Sequence, residues 1–217
     1  MDEQTRIRRH FDEDSARFDA IYKDEKPAHQ KFVDTYVRGI VAHRLRIARV
    51  LAPLPGPWTL LDVGCGSGRF DIALVQDGAM RAVGIDFAPK MIEIAEREAQ
   101  AAGVADRCHF EVAEFLDYQP TEKFDVVLAI GYFDYVKDAE AHLKKMLELA
   151  RVRVFASFPK RMEWRVPMRK ARFALTGGFV RFYSKSEIEH AMTRLGLTPE
   201  RAVVIDLGRD YLLIARN

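Results

Sequence analysis

The sequence predicts an α/β protein built on a doubly wound parallel sheet, and three observations carry that expectation. From Trp58 onward, short strand-like apolar runs alternate with runs of helical periodicity, the pattern of a parallel sheet with helices on both faces. The first of these runs opens directly into a glycine-rich turn, Leu60 to Phe70, LLDVGCGSGRF. The last two are joined only by Asp206 to Asp210, with Gly208 in the turn, so one of them must run antiparallel.

In chain order, strands are expected at Thr59–Val63, Arg81–Ile85, His109–Val112, Phe124–Ile130, Arg151–Phe158, Pro199–Ile205 and Tyr211–Ala215. Helices are expected at Arg69–Gln76, Pro89–Ala102, Ala139–Leu149 and Ser186–Leu195. Residues 1–57 precede this domain, residues 58–217, as a helical N-terminal extension. Pro27 can open a helix in which Phe32, Tyr36, Ile40, Ile47 and Leu51 recur at largely helical spacing, and Pro53 closes it. Before it, Phe11, Phe18, Ile21 and Tyr22 lie on a charged background that fits either a lid or a surface helix.

A second added segment is a basic insertion, residues 160–185, before the last helix. It carries eight Lys and Arg against the single acid Glu163, with Trp164, Met168 and Phe173 interleaved. Pro167 can start a short helix there and Gly177 can end it, giving a basic amphipathic cap over one edge of the sheet. Arg165 and Arg169, beside Trp164, suit a carboxylate or phosphate, because the arginine fork donates two parallel hydrogen bonds. An anionic membrane surface and a plain solvated face are the alternatives.

Composition narrows the class of partner. Across 217 residues, 34 Lys and Arg nearly balance 32 Asp and Glu, for a formal charge of +2, which is too small to argue for nucleic acid as a partner. Two cysteines, Cys65 and Cys108, make no disulfide framework and no metal-ligand cluster, and a reducing cytoplasm is the expected location. No run has the length of a membrane span. The oligomeric state is left open.

The glycine turn is a site built from backbone. Gly64, Gly66 and Gly68 lack a Cβ, so the chain can turn tightly and let a ligand touch the main chain. Asp62, just before the turn, can accept from a cationic amine, while the N–H groups opening the next helix suit an anion. A ligand end that carries both, as an amino acid does, satisfies the two halves. The spacing is G-x-G-x-G rather than the dinucleotide G-x-G-x-x-G, and no Gly-Lys-Ser/Thr follows. Asp86 ends the next apolar run about twenty residues on, where a carboxylate accepts both hydroxyls of a ribose.

These motifs resemble the class I S-adenosylmethionine-dependent methyltransferases. LDVGCGSG is similar to their first motif, GIDFAPKMIEIAE to the second, FEVAEF to the third and FDVVLAIGYFDYV to the fourth, all within Trp58 to Pro159. The resemblance implies a Rossmann-like seven-stranded sheet ending in an antiparallel hairpin, and S-adenosylmethionine as cofactor. It adds Phe87, Met91, Glu114, Phe115 and Ile130 to the cofactor-binding set of Asp62, Gly64, Gly66, Gly68 and Asp86, with Glu114 meeting the adenine amino group. FDEDSARFDAIYKDE, VDTYVRGIVAHR and SFPKRMEWRV are further similar to parts of magnesium-protoporphyrin O-methyltransferases, whose lid carries a functional tyrosine that Tyr22 matches. That family has a histidine where this chain has Tyr135, so a histidine-based proton transfer does not carry over.

Methyl transfer from a sulfonium is an in-line displacement, so the protein chiefly aligns two bound molecules and excludes water. A base is needed for a hydroxyl or protonated amine, and it should come from the loop after the fourth strand or from a lid. The candidates are Asp134 and Tyr135, with Tyr132 beside them, and Tyr22, with His10 and His29 near it in sequence. The expected activity is methylation of a small anionic molecule, O-methylation ahead of N-methylation, with no metal. Two rivals are a cofactor-binding, non-catalytic partner subunit that docks an acidic protein and an RNA methyltransferase. The second is disfavoured because AIGYFDY lacks the prolines that grip a flipped base.

Overall fold

A computed structural model describes residues 42–161 and 180–217 of the chain. Tyr22, His10 and His29, and Trp164, Arg165 and Arg169 of the insertion, lie outside the described residues. So does most of the extension: residues 42–51 form a helix, α1, that stops two residues before Pro53.

Seven strands make one sheet: β1 (Thr59–Val63), β2 (Arg81–Asp86), β3 (Cys108–Val112), β4 (Phe124–Ala129), β5 (Ala150–Pro159), β6 (Ala202–Asp206) and β7 (Asp210–Arg216). Between them run α2 (Arg69–Gln76), α3 (Pro89–Ala101), α4 (Ala139–Leu149) and α5 (Lys185–Arg194). The strand order is β3-β2-β1-β4-β5-β7-β6. The first five strands are parallel, and β7 lies antiparallel between β5 and β6. The expected C-terminal hairpin is therefore present, with Gly208 at φ 83° in its turn.

Strand alternation sorts the core into two layers. Leu60 on β1 packs with Trp58, Leu74, Ala95, Val126 and Phe155 on the face that α1, α2 and α3 cover. Leu61 and Val63 point the other way, to Val127, Leu143, Met146 and Ile188 under α4 and α5. A one-residue slip of β1 would exchange these sets and drive Asp62 into the second layer, so register and site are fixed together.

Several ends differ from expectation by a residue or two, and one by more. β6 begins at Ala202, not Pro199, because the N–H groups of Arg201 and Ala202 both donate to the Thr198 carbonyl (2.9 Å each) and close a turn there. Proline cannot donate to a ladder, which suits it to that turn. β4 ends at Ala129, leaving Ile130 in the loop that follows. α5 starts at Lys185 on a capping box: Ser184 Oγ accepts from Glu187 N, and a Glu187 carboxylate oxygen accepts from Ser184 N.

The order reverses between the adjacent strands β1 and β4, from which the chain builds outward to opposite edges, through β2 to β3 and through β5 and β7 to β6. In doubly wound sheets a crevice opens at that point beyond the carboxyl ends of the strands, and ligands bind there. The glycine turn leaves β1 and the Ile130–Tyr135 loop leaves β4 on its two sides.

Candidate active site at the strand reversal

β1 passes into the turn with the N–H groups of Gly64 and Cys65 both donating to Ile85 O (2.8 and 3.0 Å), which ties the turn to β2. Gly64, Gly66 and Gly68 have φ of 71°, 54° and 69°, the left-handed region that favours glycine. Their surroundings differ. A Cβ on Gly64 would lie 2.6 Å from Tyr132 Cδ2, and one on Gly68 would lie 2.7 Å from Phe110 Cζ and 3.0 Å from Ala95 Cβ. A Cβ on Gly66 would meet nothing within 4 Å. Gly66 is thus where a ligand can reach the main chain, whereas Gly68 serves packing.

Asp86 closes the same corner from β2. Its Oδ2 accepts from Gly66 N (3.0 Å) and its Oδ1 from Ala88 N (2.9 Å), so one carboxylate braces the glycine turn and the start of α3. Each oxygen keeps a second lone pair for a ligand hydroxyl. Burial pushes the carboxyl up to about 6, against those two backbone hydrogen bonds, which pull it down.

Asp62 is not the lone carboxylate that the sequence suggests. It is buried on β1, and its carboxyl interacts electrostatically with that of Asp71, also buried, in the first turn of α2. Among the described residues no N–H or O–H donor reaches Asp62 Oδ2 or either oxygen of Asp71, so a shared proton or a ligand's donor would satisfy them. Burial, the largest cause, raises both, and for Asp62 the charges of Asp71 and Asp86 raise it further. Sequence reasoning missed Asp71, because an acid in the first turn of a helix reads as a solvated group favoured by the dipole.

Tyr132, on the β4 side, lies across the crevice. Its ring rests on Gly64, meets Phe115 edge-on at 6.3 Å between centroids and stands 5.6 Å from the His142 ring. Burial pushes its hydroxyl up, and the charges of Glu114 and Asp86 act in the same direction. Phe115 is buried and Glu114 exposed, in the loop after β3. Ile130 and Phe87 are half-buried at the ends of β4 and β2. Met91 is buried and lines a groove of about 280 Å³ between α2 and α3 with Ser67 and Arg69. His142, at the end of the first turn of α4, is the other member of the cluster that the sequence did not single out. Its signal is position alone, near the start of the helix that follows β4.

Of the two loop candidates for a base, Asp134 is buried at 5 % exposure and Tyr135 is half-buried. They form a short 3-10 turn, Phe133–Tyr135. Tyr183 holds that turn, its hydroxyl donating to Phe133 O (3.2 Å) and Val136 O (3.3 Å), and Arg181 N donates to Asp134 O (2.9 Å). The two ends of the basic insertion meet at this place. Lys160 bridges Tyr183, Tyr183 N donates to Pro159 O (2.8 Å) and Arg161 N to Tyr183 O (3.1 Å). The insertion therefore leaves and returns at the carboxyl end of β5.

On the same side, Arg44 of α1 reaches Asp210 at the start of β7 with Nε and Nη2, both 2.7 Å from Oδ2. Ser157 Oγ accepts from Gly131 N (2.7 Å) beside it. Among the described residues no group of three or more His, Cys, Asp and Glu is placed to hold a metal. No helix among them is long and apolar enough to cross a membrane.

Residues 58–161 match the family profile described as a methyltransferase domain. Ajmaline N-methyltransferase of Rauvolfia serpentina is 31 % identical over 99 residues, 45 % of this chain and 34 % of that protein. A ubiquinone biosynthesis O-methyltransferase of Azorhizobium caulinodans is 38 % identical over 115 residues, 52 % of this chain and 44 % of that protein. The chain thus spans between a third and a half of the length of these curated relatives. The crystal structure of magnesium protoporphyrin IX methyltransferase from Synechocystis with bound SAH superposes over 100 % of both chains, with a TM-score of 0.78 at 22 % identity. The glycine turn, the acid ending β2 and the first five strands fall within residues 58–161, the part of the chain that matches the methyltransferase domain profile and resembles the class I S-adenosylmethionine-dependent methyltransferases.

Proposed function

We propose that the chain methylates a small molecule bearing a carboxylate or phosphate, using S-adenosylmethionine, with oxygen as the accepting atom. The observation that carries the reading is the open face of Gly66 braced by Asp86 at the strand reversal. The residues present fit that cofactor: Gly66 leaves room for it, Asp86 keeps lone pairs for ribose hydroxyls, and the acids Asp62 and Asp71 suit its ammonium end. Phe115, Ile130 and Phe87 supply apolar contacts for the base, and Glu114 takes the amino group. The cofactor supplies a methyl group on a positively charged sulfur, so the protein must bring an acceptor in line with it and keep water out.

The remaining chemistry falls to the β4–β5 side. Tyr135, in the turn clamped by Tyr183, and Tyr22, from the extension, are the groups assigned to hold or receive the acceptor proton. Buried Asp134 instead shapes the turn through its carbonyl, which accepts from Arg181. Arg165, Arg169 and Trp164 are assigned to the acceptor because the insertion that carries them is tethered at the carboxyl end of β5. The name of the ubiquinone relative supports oxygen as acceptor atom, and that of the ajmaline relative supports nitrogen.

The test is methyl transfer from labelled S-adenosylmethionine to a panel of hydroxylated carboxylic acids, phosphate esters and amines, each paired with an uncharged analogue. Turnover on an anionic hydroxyl compound, absent on its uncharged partner, is the expected result. Turnover confined to amines overturns the oxygen assignment. Transfer only in the presence of an added acidic protein overturns the small-molecule reading.

A further inference from the structure

Among the cations near the carboxyl end of the sheet, several are already engaged. Lys160 pairs with Asp206 at 2.6 Å, Arg161 with Glu187 at 3.6 Å, and Arg181 donates to Lys137 O. Arg44 is held differently. Its Nε and Nη2 converge on one oxygen of Asp210, and both side chains are largely buried, at 16 % and 8 % exposure. The third nitrogen, Nη1, has no hydrogen-bond acceptor among the described residues. It lies 2.9 Å from where a Cβ of Gly131 would stand, and Gly131, at φ 79°, has none. Gly131 is the second residue beyond β4, on the side of the crevice away from Asp86.

A guanidinium that only tied α1 to β7 would be served by the two bonds to Asp210. Here that carboxylate orients the fork, a glycine makes room for it, and the outward donor is turned to the loop where an acceptor must lie if the cofactor occupies the β1–β2 side. Burial of the ion pair excludes the water that would weaken an added charge-assisted bond. Resting on the function proposed above, we infer that Arg44 is the anion-binding residue of the acceptor site, positioned by Asp210 and presenting Nη1 over Gly131 to a carboxylate or phosphate oxygen.

The experiment uses the full chain, with and without S-adenosylhomocysteine, and two probes, benzoate and methyl phosphate, at constant ionic strength set with chloride. Thermal melting is followed as each probe is titrated. Wild type should be stabilised saturably by at least one probe. Arg44→Gln removes the partner of buried Asp210 and risks misfolding, so the main variant is the neutral pair Arg44→Gln with Asp210→Asn. It should bind S-adenosylhomocysteine within about twofold of wild type and the anion about tenfold or more weakly. Arg44→Lys should retain part of the anion response. Absence of saturable stabilisation in wild type, or an equal response in the paired variant, overturns the inference. Failure of S-adenosylhomocysteine to bind wild type counts against the proposed function instead, and the anion titration without it still decides on Arg44.

Discussion

At the scale of residues, the three glycines of one motif separate by experiment, because only their surroundings differ. Gly66→Ala should cost about 1 kcal/mol of stability, the strain of a left-handed backbone with a Cβ, yet abolish most cofactor affinity because the methyl group enters the ligand's space. Gly68→Ala should lose a further 1–3 kcal/mol, roughly, through overpacking against Phe110 and Ala95. Chemical denaturation and calorimetry on both variants check the pair, and equal losses of stability would contradict the assignment of Gly68 to packing. The acids give a pH dependence. Asp86 sits near 6 when folded against about 3.9 unfolded, and the Asp62–Asp71 pair is raised in the same direction. The folded state therefore holds protons that the unfolded chain has lost. Stability from these groups is full below about pH 4 and declines as pH rises through about 6 to 7. A ligand that donates ribose hydroxyls to Asp86 favours its ionised form, so binding near pH 5.5 should release protons. Calorimetry of S-adenosylhomocysteine in buffers of different ionisation enthalpy reads this directly, and identical heats in all buffers at pH 5.5 would contradict it. Sequence named Gly66 and Asp86 because a turn between strand and helix leaves a local signature. It missed Asp71 and the Arg44–Asp210 pair, whose partners meet only through tertiary folding, the latter across 166 positions.

At the scale of elements, the loop after β4 depends on a segment about fifty residues further along the chain. Tyr183→Phe deletes two hydrogen bonds to buried carbonyls and should cost about 1–2 kcal/mol. Its effect on catalysis should exceed its effect on cofactor affinity, because the Phe133–Tyr135 turn it clamps stands on the acceptor side. Ser184→Ala removes the cap of α5 and should cost about 1 kcal/mol, with no change in cofactor affinity. Thermal melts with parallel calorimetry separate the two variants, and a Tyr183→Phe protein with unaltered turnover would remove that loop from the acceptor site. The strands and helices of the core were legible because apolar periods of 2 and 3.6 run through them unbroken. The start of β6 was not, since Pro199 to Arg201 carry no helical signal and lie directly before an apolar run, yet form a turn closed on Thr198. The location of Tyr132 over Gly64 was also hidden: a loop of aromatic residues after β4 says that something is lined there, and not which ring covers the turn.

At the scale of the whole molecule, the sheet divides the work. β1, β2 and β3 present the glycine turn, Asp86 and Phe115, while β4, β5 and β7 present Gly131, the clamped turn, the Arg44–Asp210 pair and both ends of the basic insertion. Reversing Arg165 and Arg169 to Glu should accordingly raise the acceptor KM and leave cofactor affinity nearly unchanged, with added salt acting in the same direction on wild type. Steady-state kinetics with the acceptor identified from the panel checks it, and unaltered KM would make the insertion a solvated face. The central claim is that S-adenosylmethionine binds at the strand reversal through Asp86. Its most direct test is calorimetric titration of S-adenosylhomocysteine into wild type and Asp86→Asn. One site per chain is predicted for wild type. The variant should bind more weakly by about 2 kcal/mol or more, roughly thirtyfold, through the loss of charge-assisted bonds. Equal affinity in the two proteins, or no binding to wild type, would contradict the claim.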